Sequence, residues 1–305
     1  MGNESQVGRH VQRRRWRPGL LTWLIMVLAV GGLGAGLYPS AAAWVASYNQ
    51  SQVIRSAESL RDMLTPGGEQ QLADARRYNA ALSAGVRLEA GANVPVGVGD
   101  SGETGLRYSD LLNANKAGLM ARVKIPAIDV DLPVYHGTDE ATLLKGAGHL
   151  EGSHLPVGGA DTRSVITAHR GLASSTMFTN LDKVRFGDTI TIEVMSEVLS
   201  YRVFDIQVID PDETGSLRVQ PGKDLVTLIT CTPLGINSQR IVVTGERITP
   251  TPAADLAAAG AAPLIPGFPW WALIAGAGLL LVGAYGVRQG FVDGRAQPRI
   301  KITNT

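Results

Sequence analysis

LVTLITCTPLGINSQRIVVTGERI, residues 225–248, carries two apolar, β-patterned runs joined by a loop that contains Pro233 and Gly235. Leu225 to Thr230 reads as a buried strand, and Arg240 to Ile248 as the next one. Cys231 closes the first run, so its side chain belongs at a strand rim and not in a core. A reacting group must be held rigidly and still be reached, and a strand end before a Pro/Gly loop supplies both. Arg240 lies nine positions after Cys231 and opens the following strand. A short loop between neighbouring strands returns it beside the thiol.

Working upstream, strand patterns recur at 121–126, 130–135, 163–168, 188–194 and 199–209. Turn signals separate them at Gly158-Gly159, Phe186-Gly187-Asp188, Asp210-Pro211-Asp212 and Pro221-Gly222-Lys223. Short strands with frequent turns predict a mainly β domain, a sandwich or a closed barrel. The buried run Val165 to Ala168 ends at His169, and His169-Arg170-Gly171 opens a loop. Imidazole beside a thiol serves as base and as cationic neighbour. A guanidinium donates hydrogen bonds to a developing oxyanion. Taken singly, a loop histidine is more often structural and a strand-start arginine more often a solvated charge. Cys231, His169 and Arg240 together at strand rims make a coherent acyl-transfer set.

The rest of the composition narrows the field. One cysteine in 305 residues rules out an internal disulfide, and a net charge of +1 gives no basic face for nucleic acid. His136, His149 and His154 lie in loop-like sequence and read as packing or exposed residues, and His10 sits in the basic tail. His149, Glu151 and His154 lack the further ligands a metal site needs, so neither metal nor cofactor is expected.

Two apolar segments bracket the chain. Residues 20–37 and 270–287 each hold eighteen residues without a charge, about 27 Å as a helix, enough to cross a bilayer. Arg9, Arg13, Arg14, Arg15 and Arg17 precede the first; Arg288, Arg295, Arg299 and Lys301 follow the second, and Trp270 and Trp271 sit at its start. This pattern predicts two membrane spans, both termini cytoplasmic and the intervening part outside. A cleaved signal peptide, with Ala41-Ala42-Ala43 as its site, is the alternative for the first segment. The domain plan is then a basic tail (1–19), a span or signal-anchor (20–37), a helical region (38–90) broken at Pro66-Gly67-Gly68, a long loop (91–107), a β domain (108–249), a Pro/Ala linker (250–269), a span (270–287) and a tail (288–305).

At these residues the chain resembles the sortase family of Gram-positive bacteria. Thr227-Leu-Ile-Thr-Cys231 is similar to the family's TLxTC signature, and Val165 to Gly171 to the segment with its histidine. Gly146 to Gly152, Leu155 to Gly159 and Phe178 to Lys183 resemble the class C, pilin-polymerising branch. The resemblance implies an eight-stranded β-barrel with N-terminal helices and two flanking membrane helices. It implies a cysteine transpeptidase that cleaves the Thr–Gly bond of an LPxTG-type signal and passes the acyl group to an amine. Cys231 would be the nucleophile, His169 the general acid/base and Arg240 the oxyanion stabiliser. Its partners would be LPxTG-bearing surface or pilin proteins and an amine, a pilin lysine or a peptidoglycan cross-bridge. The chain departs from the branch at Leu234 and Gln239, where Tyr and His are expected. It departs again in the lid, where Asp100 is followed by Ser101-Gly102 instead of Pro and an aromatic residue. Wall anchoring is the alternative activity; a non-catalytic tethered barrel and a hydrolytic cysteine protease are the alternatives of other classes.

Overall fold

The computed structural model describes residues 16–60, 66–82, 105–114 and 118–296. The lid candidate Asp100 and most of 91–107 lie outside the described residues. The chain forms two compact units, 1–41 with 268–305, and 42–267.

The larger unit is an eight-stranded closed barrel. Its strands are β1 (Leu119–Ile125), β2 (Val130–His136), β3 (Ala147–His149), β4 (Thr162–Thr167), β5 (Thr189–Val194), β6 (Glu197–Ile209), β7 (Asp224–Thr232) and β8 (Gln239–Arg247). They close in the order β1-β2-β3-β4-β7-β8-β6-β5. Seven of the eight follow from alternating or branched sequence. The eighth, β3, is Ala147-Gly148-His149, too short and too glycine-rich to show a period. Its pairing is set from outside: Gly148 stands opposite Thr167 on β4, and His149 opposite His136 on β2.

The apolar run in β7 is explained by burial on both faces. Val226 and Leu228 face the barrel interior with Ile166, Ile190 and Val243. Ile229 joins a second cluster on the outer face, with Val165, Val242, Leu150, Ile209 and Leu217. Alternation along β7 therefore puts even positions inside and odd positions outside, Cys231 among them.

Helix α1 runs Leu20–Leu60 and α2 runs Gly68–Ala81, with the break between them near the predicted Pro-Gly-Gly signal. Pro39 sits inside α1 without ending it. Leu72, Ala75 and Tyr78 of α2 are buried in the main core. Asn79 fastens α2 to the barrel: its side chain donates to Leu155 O at 3.0 Å and accepts from Leu155 N at 2.8 Å. A buried cation ties further segments to β1. Arg122 makes two bonds to Asp131, at 2.6 and 2.8 Å, meets Glu58 of α1 at 3.1 Å and Glu193 of β5 at 3.3 Å, and donates to Ala261 O at 2.9 Å. The 250–267 segment is thus bonded to the barrel. It also carries a short helix, α4 (Ala253–Ala257), whose Asp255 accepts from Ser200 at 2.7 Å.

The smaller unit contains the start of α1 and α5 (Trp270–Ala296), both helices long and apolar enough to cross a membrane. The first N–H groups of α1 lack intrahelical partners, and Asp293 of α5 meets part of that need. Its carboxylate accepts from Gly19 N at 2.8 Å and Thr22 Oγ1 at 2.6 Å.

Candidate active site

Three adjacent strands bring the sequence-predicted residues together. β4 and β7 run parallel with Thr167 opposite Ile229. The pairing continues past the end of β4: Ala168 N donates to Ile229 O at 3.3 Å, and Thr230 Oγ1 donates to Ala168 O at 2.8 Å. Carried on at the same offset, His169 stands level with Cys231. β7 and β8 are antiparallel, with Cys231 directly opposite Arg240. Neighbouring strands lie about 4.8 Å apart, so the three backbones are side by side at one end of the barrel. Period-two alternation puts all three side chains on the outer face, above the Val165–Ile229–Val242 cluster.

Each group has a distinct environment. Burial pushes the Cys231 thiol above its ordinary range, and the positive charge of Arg240 pulls it back only in part. Cys231 is a protonated thiol at neutral pH, so attack needs a base. Arg240 is 5% exposed, and its Nη1 donates to Asn237 O at 2.8 Å and Gln239 O at 2.9 Å. The loop from 233 to 238 thereby fixes the guanidinium beside the thiol.

Two further residues belong to the site. Arg170 donates from Nη1 to Thr232 Oγ1 at 2.7 Å and from Nε to Thr179 O at 3.2 Å, and pairs with Asp182 at 2.8 Å. It links the residue after His169 to the residue after Cys231. Glu140, the first residue of α3 (Glu140–Leu143), has its Oε2 3.4 Å from His169 Nε2, within ion-pair distance but without hydrogen-bond geometry. Sequence alone signals neither, since both depend on partners distant along the chain. Gly171 completes the His169 turn at φ +74°, where a Cβ would be strained and would collide with Leu234. The loop after Cys231 can therefore close over the loop after His169.

His136 and His149, read from the sequence as loop residues, end β2 and β3 and serve the fold. His149, at the end of β3, is fully buried; its ring contacts Tyr108 Oη at 2.9 Å and His154 O at 2.9 Å. Burial pushes its pKa down to about 3. Among the described residues no group of three His, Cys, Asp or Glu side chains is placed to hold a metal.

A family model described as the sortase domain matches residues 123–248. Sortase D of Bacillus subtilis is 28% identical over 130 residues, 42% of this chain and 63% of its own length, so the match spans less than two thirds of that relative. Among solved structures, sortase C-1 of Actinomyces oris is 45% identical with a TM-score of 0.53, covering 59% of this chain and 97% of that one. Sortase C of Streptococcus pneumoniae is 37% identical with a TM-score of 0.57, covering 65% and 96%.

Proposed function

The chain belongs to the sortase family, whose members are cysteine transpeptidases, and we propose that it performs that chemistry outside the cell membrane, on LPxTG-type sorting signals. Cys231 Sγ attacks the threonine carbonyl, helped by His169, which removes the thiol proton. Arg240 donates to the oxyanion that forms. His169 then gives its proton to the departing glycine nitrogen, the C–N bond breaks, and a thioester remains on Cys231. An amine attacks the thioester and frees the thiol.

The observation that carries this reading is the alignment of Cys231, His169 and Arg240 across three adjacent strands on one face. Likeness to two class C structures, one of them reported for its pilin substrate specificity, supports a pilin lysine as the acceptor. The lid sequence, with neither Asp-Pro nor an aromatic residue, favours the second reading, anchoring to a peptidoglycan cross-bridge. The test is to incubate the detergent-solubilised full chain with an LPxTG-type peptide, with and without a lysine-bearing acceptor peptide. The expected result is an acceptor-linked product that disappears in Cys231→Ala. Hydrolysis at a rate indifferent to amine, or product that persists in Cys231→Ala, sinks the reading.

A further inference from the structure

Glu140 stands beside the base that the second half-reaction uses. Its Oε2 lies 3.4 Å from His169 Nε2. That nitrogen is buried and, among the described residues, has no hydrogen-bond partner. The backbone beneath Glu140 is fixed: Asp139 caps α3 by accepting from Thr142 N at 3.0 Å, and its hydroxyl partner is Thr142 Oγ1 at 2.8 Å. The Glu140 side chain is 66% exposed. The site thus pairs a buried imidazole nitrogen with an exposed carboxylate.

The first half-reaction brings no substrate cation to this carboxylate. Its attacking group is a thiol, its leaving group is an amine, and a negative charge near the oxyanion is unfavourable. The second half-reaction brings in a cation, because a lysine side chain is an ammonium at neutral pH. We propose that Glu140 is the docking carboxylate for the acceptor ammonium, receiving the lysine side chain and delivering it to His169 Nε2. This rests on the transpeptidase reading and names the recognition element for its second substrate. The ammonium loses one proton to water. The neutral nitrogen then attacks the thioester carbonyl and forms the C–N bond. It passes its second proton to His169, which hands it to the Cys231 sulfur as the C–S bond breaks. Attraction to Glu140 also favours the protonated ammonium, so its benefit lies in acceptor KM and not in the rate of attack.

The test compares two acceptors on the full chain with an LPxTG-type peptide at pH 7.5. One is lysine amide with its α-amine blocked, which is cationic; the other is hydroxylamine, which is neutral. Glu140→Gln keeps the side-chain size and removes the charge. The expected result is that the kcat/KM ratio of lysine to hydroxylamine falls about fivefold through the lysine KM, the worth of one exposed ion pair. Glu140→Lys lowers the ratio further, and added salt lowers it in the wild-type chain. A parallel fall for both acceptors overturns the proposal, because Glu140 would then be acting on His169 itself. A wild-type Cys231 adduct with an unmoved ratio removes the docking role alone. A wild-type chain that forms no adduct removes the transpeptidase reading and the docking role with it. Adduct formed by Glu140→Gln shows that the variant has folded.

Discussion

Cys231 is the only cysteine in the chain, so a thiol reagent reports on one site. Burial outweighs Arg240 in setting its pKa, which leaves the thiol raised. The sign follows directly: below that pKa the reactive thiolate fraction grows about tenfold per pH unit. Iodoacetamide labelling should therefore climb steadily through pH 8 to 9 without a plateau, and Arg240→Gln should slow it at each pH. A plateau below pH 7 would mean a stable thiolate and contradict this environment. Arg170 acts through its neighbours as a positioning residue, tying the His169 loop to Thr232. Arg170→Met should lower kcat about tenfold with KM within about twofold, since small misplacements of reacting groups are costly. Arg170→Lys should recover part of the loss, and loss of KM alone would argue against this role. The neighbouring placement of Cys231, His169 and Arg240 was legible in the sequence because each ends or begins an apolar strand run. Arg170 and Glu140 were not, because Thr232 is 62 positions from Arg170 and His169 is 29 from Glu140.

Among elements, the strands that carry the site were the easiest to read. β7 is buried on both faces, so its sequence is nearly continuous in apolar residues. β3 was hidden because its three residues owe their state to β2 and β4 on either side. The attachment of 250–267 to the barrel was hidden as well. It depends on Arg122, which looks like an ordinary strand charge until Asp131, Glu58 and Glu193 are brought around it. Arg122→Met should cost about 3 kcal/mol in denaturant unfolding of the solubilised chain, because the buried Asp131 would lose its ion-pair partner, while Glu193 keeps Lys124. Arg107→Ala, which removes an exposed pair with Asp110, should leave the midpoint near wild type. Equal effects at the two positions would show that the buried network has no special weight.

For the whole molecule, two helices apolar enough to span a membrane flank the catalytic unit in sequence, and the basic residues beside them predict both termini inside. In cells producing the chain, a membrane-impermeant maleimide should label Cys231 without lysis. In a Cys231→Ser background, Ser5→Cys and Thr305→Cys should be labelled only after lysis. Labelling of either terminus in intact cells would reverse that orientation. Acyl transfer through Cys231 passes through a thioester that can be trapped. The full chain is mixed with an LPxTG-type peptide without acceptor, quenched in acid and mapped by mass spectrometry. The expected product is an adduct of the peptide's N-terminal part, ending at threonine, on Cys231, released by hydroxylamine and absent in Cys231→Ala. Turnover of the peptide with no adduct on Cys231, or an adduct on another residue, would rule out acyl transfer through Cys231.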